Sequence, residues 1–582
     1  MFSPDSRILT PIEHIRYLLH QGRYLEARAL TSQQLHESSD LQLKQLHALA
    51  LSKSGTPKLA ADYFDPVYRE FAHDAETAGI MGGIYKELFR QTHQQSYAIQ
   101  SRDAYQQNFT LTRNYYTGIN AATMSALAGK FQRGRELALE VQTLLPEQPT
   151  DFWELVTKAE ATLLNKDPRQ ASTLYFSALE IAGSDWGKVN IVYNQLWMLN
   201  HYLPVPAEVL KAYSPPTVAV LVGHMIDSPS RPEPRFPPSI ESKVNEELLG
   251  IVRANNAKIG YTSLACGSDI MFAEAVLKNG GEINLCIPFR KEDFIDTSVR
   301  FAGEAWIQRF HQLTDKYPVH YLTQEGYHGN DELFSFHGRI LFGLATLRSK
   351  LLHAEPYLIT ILSSRDRTLK EGGTRDLLKL WPFPKHAINI DPSKWLTTPP
   401  SDKKPIDSTT PPTGQSNRVI AYMLAIGFRG PTLPEVVRIA SKIQEQATGE
   451  LIALEAEGNC IRVGLTSSHR AIQFAKELVL GIHQWNKSAE LNIGLHAGPV
   501  HITKADGRKI MSGEQVEVLN KILTLSAPGN ISGSETFAAS LALDPGSYGF
   551  IQSGQIQFDS SGALTLYSID WTGSEIKQTV RR

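Results

Sequence analysis

Between Thr217 and Asp391 the chain repeats one alternation: an unbroken apolar, β-branched run, then a helical stretch. The apolar runs are TVAVLVGHMI, KIGYTSLACG, EINLCIPF, PVHYLTQ, PYLITILSS and HAINID. Between them lie helical segments such as SKVNEELLGIVRANN, DIMFAEAVLKNG and ELFSFHGRILFGLATLRSKLL. A strand that faces water on one side alternates polar and apolar residues, and these do not. Unbroken strands separated by helices require a parallel sheet covered on both faces. The pattern predicts a doubly wound α/β domain over 215–392.

The rest of the chain obeys other periods. Residues 1–212 carry apolar side chains at i, i+3 and i+4 in successive segments, the helical signature. Three segments share one design, a small-residue helix, a break and a second helix: HALALSKSGTPKLAADYF, INAATMSALAGKFQRGRELALEV and WELVTKAEATLLNKDPRQASTLYFSAL. Small residues at crossing points let paired helices approach, and such pairs stack because one pair cannot bury its own apolar face. The period breaks at Ser214-Pro215-Pro216. Residues 393–417 (SKWLTTPPSDKKPIDSTTPPTGQSN) read as a linker too polar to build a core. From Arg418 to 573 strand and helix patterns alternate without strict regularity, which predicts an α+β domain on a mixed sheet. Residues 574–582 form a tail. The fold class expected is therefore multidomain: an all-α helical solenoid, an α/β doubly wound sheet, then an α+β domain.

Composition excludes several functions. With 58 basic and 60 acidic residues the formal net charge is -2. No whole-chain basic field draws the protein to nucleic acid or anionic lipid. No stretch approaches the ~20 apolar residues of a membrane span, and the first residues lack a signal-peptide pattern. Cys266, Cys286 and Cys460 stand far apart with no CxxC, which points to a reducing compartment and no cysteine-rich metal site. The expected location is the cytoplasm, with no membrane and no nucleic-acid partner.

The helical segment resembles tetratricopeptide repeats in divergent form. Thr77–Phe89 (TAGIMGGIYKELF) with Tyr115–Asn120 also resembles the TRAF-binding helical region of stress-kinase regulators. The resemblance implies a protein partner bound through the repeats.

In open parallel sheets, ligands bind beyond the carboxyl ends of the strands. The residues falling there are Gly223 and His224, then Cys266, Gly267, Ser268 and Asp269, then Pro288, and later Gly372, Gly373 and Thr374. Glycines there bring backbone N–H groups close to a ligand, and each helix N-terminus adds about half a positive charge. A small phosphate-bearing ligand suits that edge, and Arg231 and Arg235 on a proline-stiffened loop offer an anion clamp. Equally, Ser268 and Asp269 can serve as helix caps, His224 as a hydrogen-bonded turn residue, and Cys266 as an inert buried thiol. The segment resembles the SLOG superfamily of Rossmann-like nucleotide-sensing domains. Its hydrolase branch carries a PGGxGTxxE signature. Glu371–Asp376 here lacks the proline and second glycine, which favours binding over hydrolysis.

The stretch NIGLHAGPV followed by SGEQVEVLNKILTLSAPGNISGSETF resembles the class III adenylate/guanylate cyclase family. Gly494, His496, Gly498, Val500, Gly513, Val516, Pro528, Gly529, Ile531, Ser534 and Thr536 keep its order and spacing. The resemblance implies that two aspartates should hold two Mg²⁺ ions. Those positions fall on Leu424 and Asn459, although a one-residue slip would bring Glu455 or Glu457 near the second. The family's Asn/Arg pair falls on Glu517 and Lys521. Leu cannot ligate Mg²⁺, and Glu517 would repel a triphosphate. The expectation is a pseudo-cyclase with no confident catalytic residue, no metal and no required cofactor beyond a nucleotide-derived ligand. Family members pair head to tail, which implies a homodimer.

The sequence thus points to a signalling scaffold that senses a nucleotide-like ligand. Two alternatives stand beside it. One is a nucleotide-processing enzyme in the middle domain, cleaving an N-glycosidic or phosphate bond. The other is an active cyclase with unorthodox metal ligands.

Overall fold

The computed structural model describes residues 10–183, 185–327, 329, 332–365, 377–397, 418–446, 449–505, 508–544, 546, 548–558 and 562–570.

From Pro11 to Tyr213 the described residues form successive helices joined by turns. The helices run in antiparallel pairs, among them Ala75–Thr92 with Gln95–Thr112 and Tyr115–Leu127 with Phe131–Thr143. Short polar residues start them, as the four orphan N–H groups of a helix require. Asp40 accepts from the Gln42 and Leu43 amides, Asp74 from Thr77, Asn114 from Tyr116 and Asp151 from Trp153. Small residues do set the crossings. A Cβ on Gly118 would lie 2.6 Å from Val141, and one on Gly134 would lie 2.9 Å from the Ala122 carbonyl. A polar line joins successive pairs inside the stack. Lys86 donates to Asn120 (2.7 Å), Gln195 donates to Glu160 (2.7 Å), and the Thr123 hydroxyl donates to the same carboxylate.

Past Pro215 a six-stranded sheet forms from β1 (Thr217–Gly223), β2 (Ala257–Thr262), β3 (Glu282–Ile287), β4 (Val319–Tyr321), β5 (Tyr357–Ile361) and β6 (Ala387–Ile390). All pairings are parallel and the order is β4-β3-β2-β1-β5-β6. Both faces are covered, which is why the strands show no polar alternation. Ala219 and Leu221 pack in a core with Phe272, Val276 and Phe310. Val218, Val220 and Val222 pack in another with the helix Glu332–Leu351. Of the stretch 393–417 the structure describes only the beginning. There Trp395 and Leu396, which the expected linker included, pack against the α/β core. Two bulky apolar side chains outweighed the surrounding polar composition.

The second sheet contains β7 (Arg418–Arg429), β8 (Leu451–Glu457), β9 (Cys460–Leu465), β10 (Glu490–Ala505), β11 (Arg508–Ser512), β12 (Ile531–Ser534), β13 (Gly549–Phe558) and β14 (Gly562–Asp570). Its order is β13-β14-β12-β10-β7-β9-β8, with β11 on β10. It is mixed: β10 runs antiparallel to β7 and parallel to β12. Gly494 and Gly498 let the helix Glu514–Leu525 lie close on β10. A Cβ there would meet the Leu523 amide at 3.0 Å and the Gln515 amide oxygen at 2.9 Å.

The two sheets are not separate bodies. The helix Glu332–Leu351 lies between β1 on one side and the helix Glu535–Leu543 on the other, and one apolar core runs from Val220 through Phe342 to Phe537 and Leu424. The two helices touch at Gly343, where a Cβ would come within 2.1 Å of the Ala539 carbonyl oxygen. Arg339 reinforces the crossing, donating to the Ser540 hydroxyl (2.6 Å) and to Asp544.

Backbone-to-backbone approach leaves no flexible atom to yield. Gly343→Ala is therefore expected to cost about 1–3 kcal/mol, the range for overpacked interiors. Gly250→Ala, in a helix with nothing within 4 Å of the new Cβ, should be neutral or stabilising by about 0.5–1 kcal/mol. Denaturant unfolding of both full-length variants checks the contrast.

Candidate functional site

The strand order reverses between β1 and β5, and crevices in open α/β sheets open at such a switch point. Gly223 and His224 stand there, with the His224 amide donating to the Ile361 carbonyl (2.9 Å). His224 is buried. Gly372, Gly373 and Thr374, read as part of this edge, lie outside the described residues.

The turn after β2 is bound tightly to the turn after β1. The Ser268 hydroxyl donates to the His224 carbonyl (2.6 Å) and the Ser268 amide does the same (3.2 Å). The Ile226 amide donates to the Cys266 carbonyl (3.2 Å). Two glycines permit this. Gly223 faces Ser268 where a Cβ would come within 2.5 Å, and Gly267, at φ +95°, would place one 2.6 Å from the Ile226 nitrogen. These glycines thus seat one chain segment on another. The expected caps are also placed differently. Gly267 holds the N-cap position of the helix Ser268–Lys278, with no side chain capping it. Ser268 turns to His224 instead, and Asp269 accepts from the Ala265 amide (3.3 Å).

Burial holds the ionisable groups of this turn toward their neutral forms. Asp269 is buried, and burial pushes its carboxyl up to about 7. When ionised it sets a negative charge in the first helical turn. Cys266 is fully buried, and its thiol is pushed up to about 12 by loss of solvent. Desolvation dominates although the thiol stands beside a helix N-terminus, a place that lowers the pKa of an exposed cysteine. The two arginines of the β1 loop converge on Asp227, Arg231 at 3.3 Å and Arg235 at 4.0 Å. The same carboxylate accepts from the Arg235 and Phe236 amides, at 2.7 and 2.8 Å. They brace the loop around an internal carboxylate, so the anion clamp read from the sequence is directed inward.

Pro288 follows β3 and leads into Phe289, which is buried and stacks on Tyr327 with centroids 5.0 Å apart. The Arg290 amide donates to the Glu325 carbonyl (3.1 Å). The loop after β4, Leu322–Tyr327, thereby joins the same edge. Sequence reasoning missed Glu325. Its segment, TQEG, carries no motif, and only its place beyond an edge strand could have marked it.

On the second sheet, Leu424 is fully buried in mid-strand, paired with Leu495 and Val463. It shares its core with Tyr422, Ile426 and Phe428. A carboxylate at 424 would stand among apolar side chains. Asn459 is exposed in the turn between β8 and β9, where its carbonyl accepts from the Phe428 amide (3.0 Å). Nor are the nearby glutamates idle. Glu455 accepts from the Met511 amide (2.8 Å) and pairs with Arg462 (3.4 Å), and Glu457 pairs with Arg462 (3.2 Å). Glu517 and Lys521 are exposed one helical turn apart, Lys521 donating to the Gln557 carbonyl (2.7 Å). Among the described residues no group of three or more His, Cys, Asp or Glu is placed to hold a metal ion.

His496 is buried between Ser534 and Gln515, at 2.7 Å from each. Burial holds its pKa down to about 4. The neutral ring donates one N–H to the Gln515 oxygen and accepts from Ser534, so the cluster is satisfied without charge. A cavity of about 40 Å³ adjoins it, lined by His320, Leu322, Gln515 and Thr536 among others. At roughly 10–15 Å³ per water this volume suits a few waters and no nucleotide.

The family described as Tetratricopeptide Repeats-Sensor matches residues 23–125, and the helical segment is tetratricopeptide-like. Solved structures similar to parts of the chain include the guanylate cyclase domain of RhGC from Catenaria anguillulae in complex with GTP. It is 15% identical, covers 26% of this chain and 96% of that one, and has a TM-score of 0.22. An adenylate/guanylate cyclase/hydrolase from Silicibacter pomeroyi is 18% identical over 26% of this chain and 96% of that one, at a TM-score of 0.21. A thermophilic tetratricopeptide protein of Thermus thermophilus is 19% identical over 32% and 97%, at 0.27. Among curated proteins no match is found. No helix among the described residues is long and apolar enough to cross a membrane.

The raised Asp269 carboxyl has a pH consequence. Folding favours its neutral form, so its penalty is absent below the ordinary 3.8, grows as pH rises towards about 7 and is complete above it. Asp269→Asn should remove that decline. The variant is expected to match the parent near about pH 4, to gain on it progressively up to about pH 7, and to keep a constant advantage of at most about 4 kcal/mol above that. Denaturant unfolding across that range measures it.

Proposed function

We infer that the chain is a regulatory scaffold whose last domain keeps a cyclase-like shape without turning over nucleotides. One observation carries this reading: the position that the cyclase resemblance assigns to the first metal aspartate is Leu424, sealed in an apolar core. The second position, Asn459, offers a neutral amide on an exposed turn. Two Mg²⁺ ions need hard anionic oxygens to activate a ribose hydroxyl and neutralise a triphosphate. Neither residue supplies one, and Glu455 and Glu457 are committed to Met511 and Arg462.

The remaining parts take complementary roles. The tetratricopeptide-like stack offers a protein partner a long helical surface. The β1/β5 switch point, beside buried His224, is where a small nucleotide-derived ligand binds. The topology supports that position. The inward-turned arginines and Asp269 favour a ligand held by neutral hydrogen bonds over one held chiefly by phosphate charge. The cyclase-like sheet serves contact, and a homodimer through it fits the way the resembled family pairs.

Incubating the full chain with ATP or GTP and Mn²⁺ should yield no cyclic nucleotide, and cyclic product above a no-protein control overturns the reading. A thermal-shift panel of nucleotides and cyclic dinucleotides should identify at least one stabiliser. Saturation at a hundred times Kd is worth about 2.7 kcal/mol. A panel without any shift refutes the sensing role.

A further inference from the structure

We propose that the loop Leu322–Tyr327 is a coupling element that transmits the state of the parallel sheet's ligand edge to the second sheet. The proposal rests on the reading of that edge as ligand-binding. The loop leaves the carboxyl end of β4 and is gripped from two sides.

On the edge side, the Glu325 carbonyl accepts from the Arg290 amide (3.1 Å), and the Tyr327 amide donates to Asp293 (2.7 Å). Asp293 also receives the Arg290 guanidinium (2.7 Å). Tyr327 stacks on buried Phe289, the residue that follows Pro288. Gly326 fits where a Cβ would come within 2.6 Å of the Asp293 carboxylate. A shift of the turn after β3 therefore cannot leave this loop behind.

On the other side, the Glu325 carboxylate pairs with Arg418 (3.1 Å) and His501 (3.1 Å). Arg418 opens β7, and its side chain is only 3% exposed. It also donates to the Gly326 carbonyl (3.2 Å) and the Thr323 hydroxyl (3.4 Å). The Gln324 amide reaches Glu514, at the start of the helix Glu514–Leu525 (3.5 Å). Just before the loop, His320 on β4 lies 3.3 Å from Glu535, which opens the helix Glu535–Leu543. Each contact joins the loop or its strand to a different element of the second sheet: β7, β10 and two helix starts. A buried guanidinium tolerates little separation from its carboxylate, since an unpaired buried charge is strongly disfavoured. Displacement of Glu325 must therefore move Arg418 or break the pair. Coupling then needs no rearrangement of either core.

The test is amide hydrogen exchange on the full chain, read by peptide. Glu325→Gln keeps the side-chain shape and removes the charge that holds Arg418. Exchange should quicken by about fivefold or more, the lower end of ordinary coupling energies, over both 288–298 and 418–429. Strand β2 and the helices over 41–127 should be unchanged. Asp293→Ala, on the edge side, should raise exchange over 418–429 by the same route. It serves as the second variant if Glu325→Gln destabilises the whole unit. Quickening confined to one side of the loop in both variants, or no change in either, overturns the proposal. The ligand reading is tested apart from this, by adding GTP to the parent protein. Protection around 223–224 and 288–298 that is lost in neither variant, with 418–429 unresponsive to GTP, also overturns the coupling. Absence of any GTP effect, with both variants behaving as expected, removes GTP as the ligand and leaves the coupling intact.

Discussion

The contact on which the last two-thirds of the chain depends is the crossing of the helix Glu332–Leu351 over the helix Glu535–Leu543. With no side chain at Gly343, the two backbones meet at Ala539. That approach brings Ile340, Phe342 and Leu347 into one core with Phe537, Leu541 and the residues of β7. Interiors are packed like crystals and transmit strain, so two sheets that share a core respond together. The polar contacts at the rim, Arg339 with Asp544 and Glu325 with Arg418, then act on a junction whose geometry is already fixed.

This junction changes how the functional residues are understood. Taken alone, the parallel sheet is an open α/β platform whose strand order reverses between β1 and β5, and the mixed sheet holds Leu424 in its core and Asn459 on an exposed turn. Joined, they place the edge of the first within a few hydrogen bonds of the first strand of the second. His320, Glu325, Arg418, His501 and Glu535 draw their meaning from that proximity.

Much of the architecture was legible in the sequence because it follows from local period. Unbroken runs such as TVAVLVG gave parallel strands, since a strand covered on both faces has no polar side to show. Helical pairs followed from the spacing of apolar residues and from the small residues on either side of each break, whereas the caps Asp40, Asp74 and Asp151 emerged only in the structure. The candidate site was legible only as a set of positions. That Gly223, Gly267 and Ser268 fall at strand ends could be read. That they bind one turn to another could not, because their partners lie some forty residues away along the chain. The same holds for Arg231 and Arg235, whose attraction to Asp227 depends on how the loop closes. Nor could the polar composition after Ser393 show that Trp395 and Leu396 pack against a core.

The sequence alone determined the order of structural classes along the chain and that a leucine and an asparagine stand at positions 424 and 459. Both are properties of residue type and spacing, and no folding alters them. The tertiary structure alone decided which charges are satisfied, which thiol and carboxyl titrate abnormally, and that two sheets share one interior. Those depend on distances of a few ångströms between residues far apart in sequence. Desolvation and pairing energies vary steeply over that range, and a linear pattern carries no record of it.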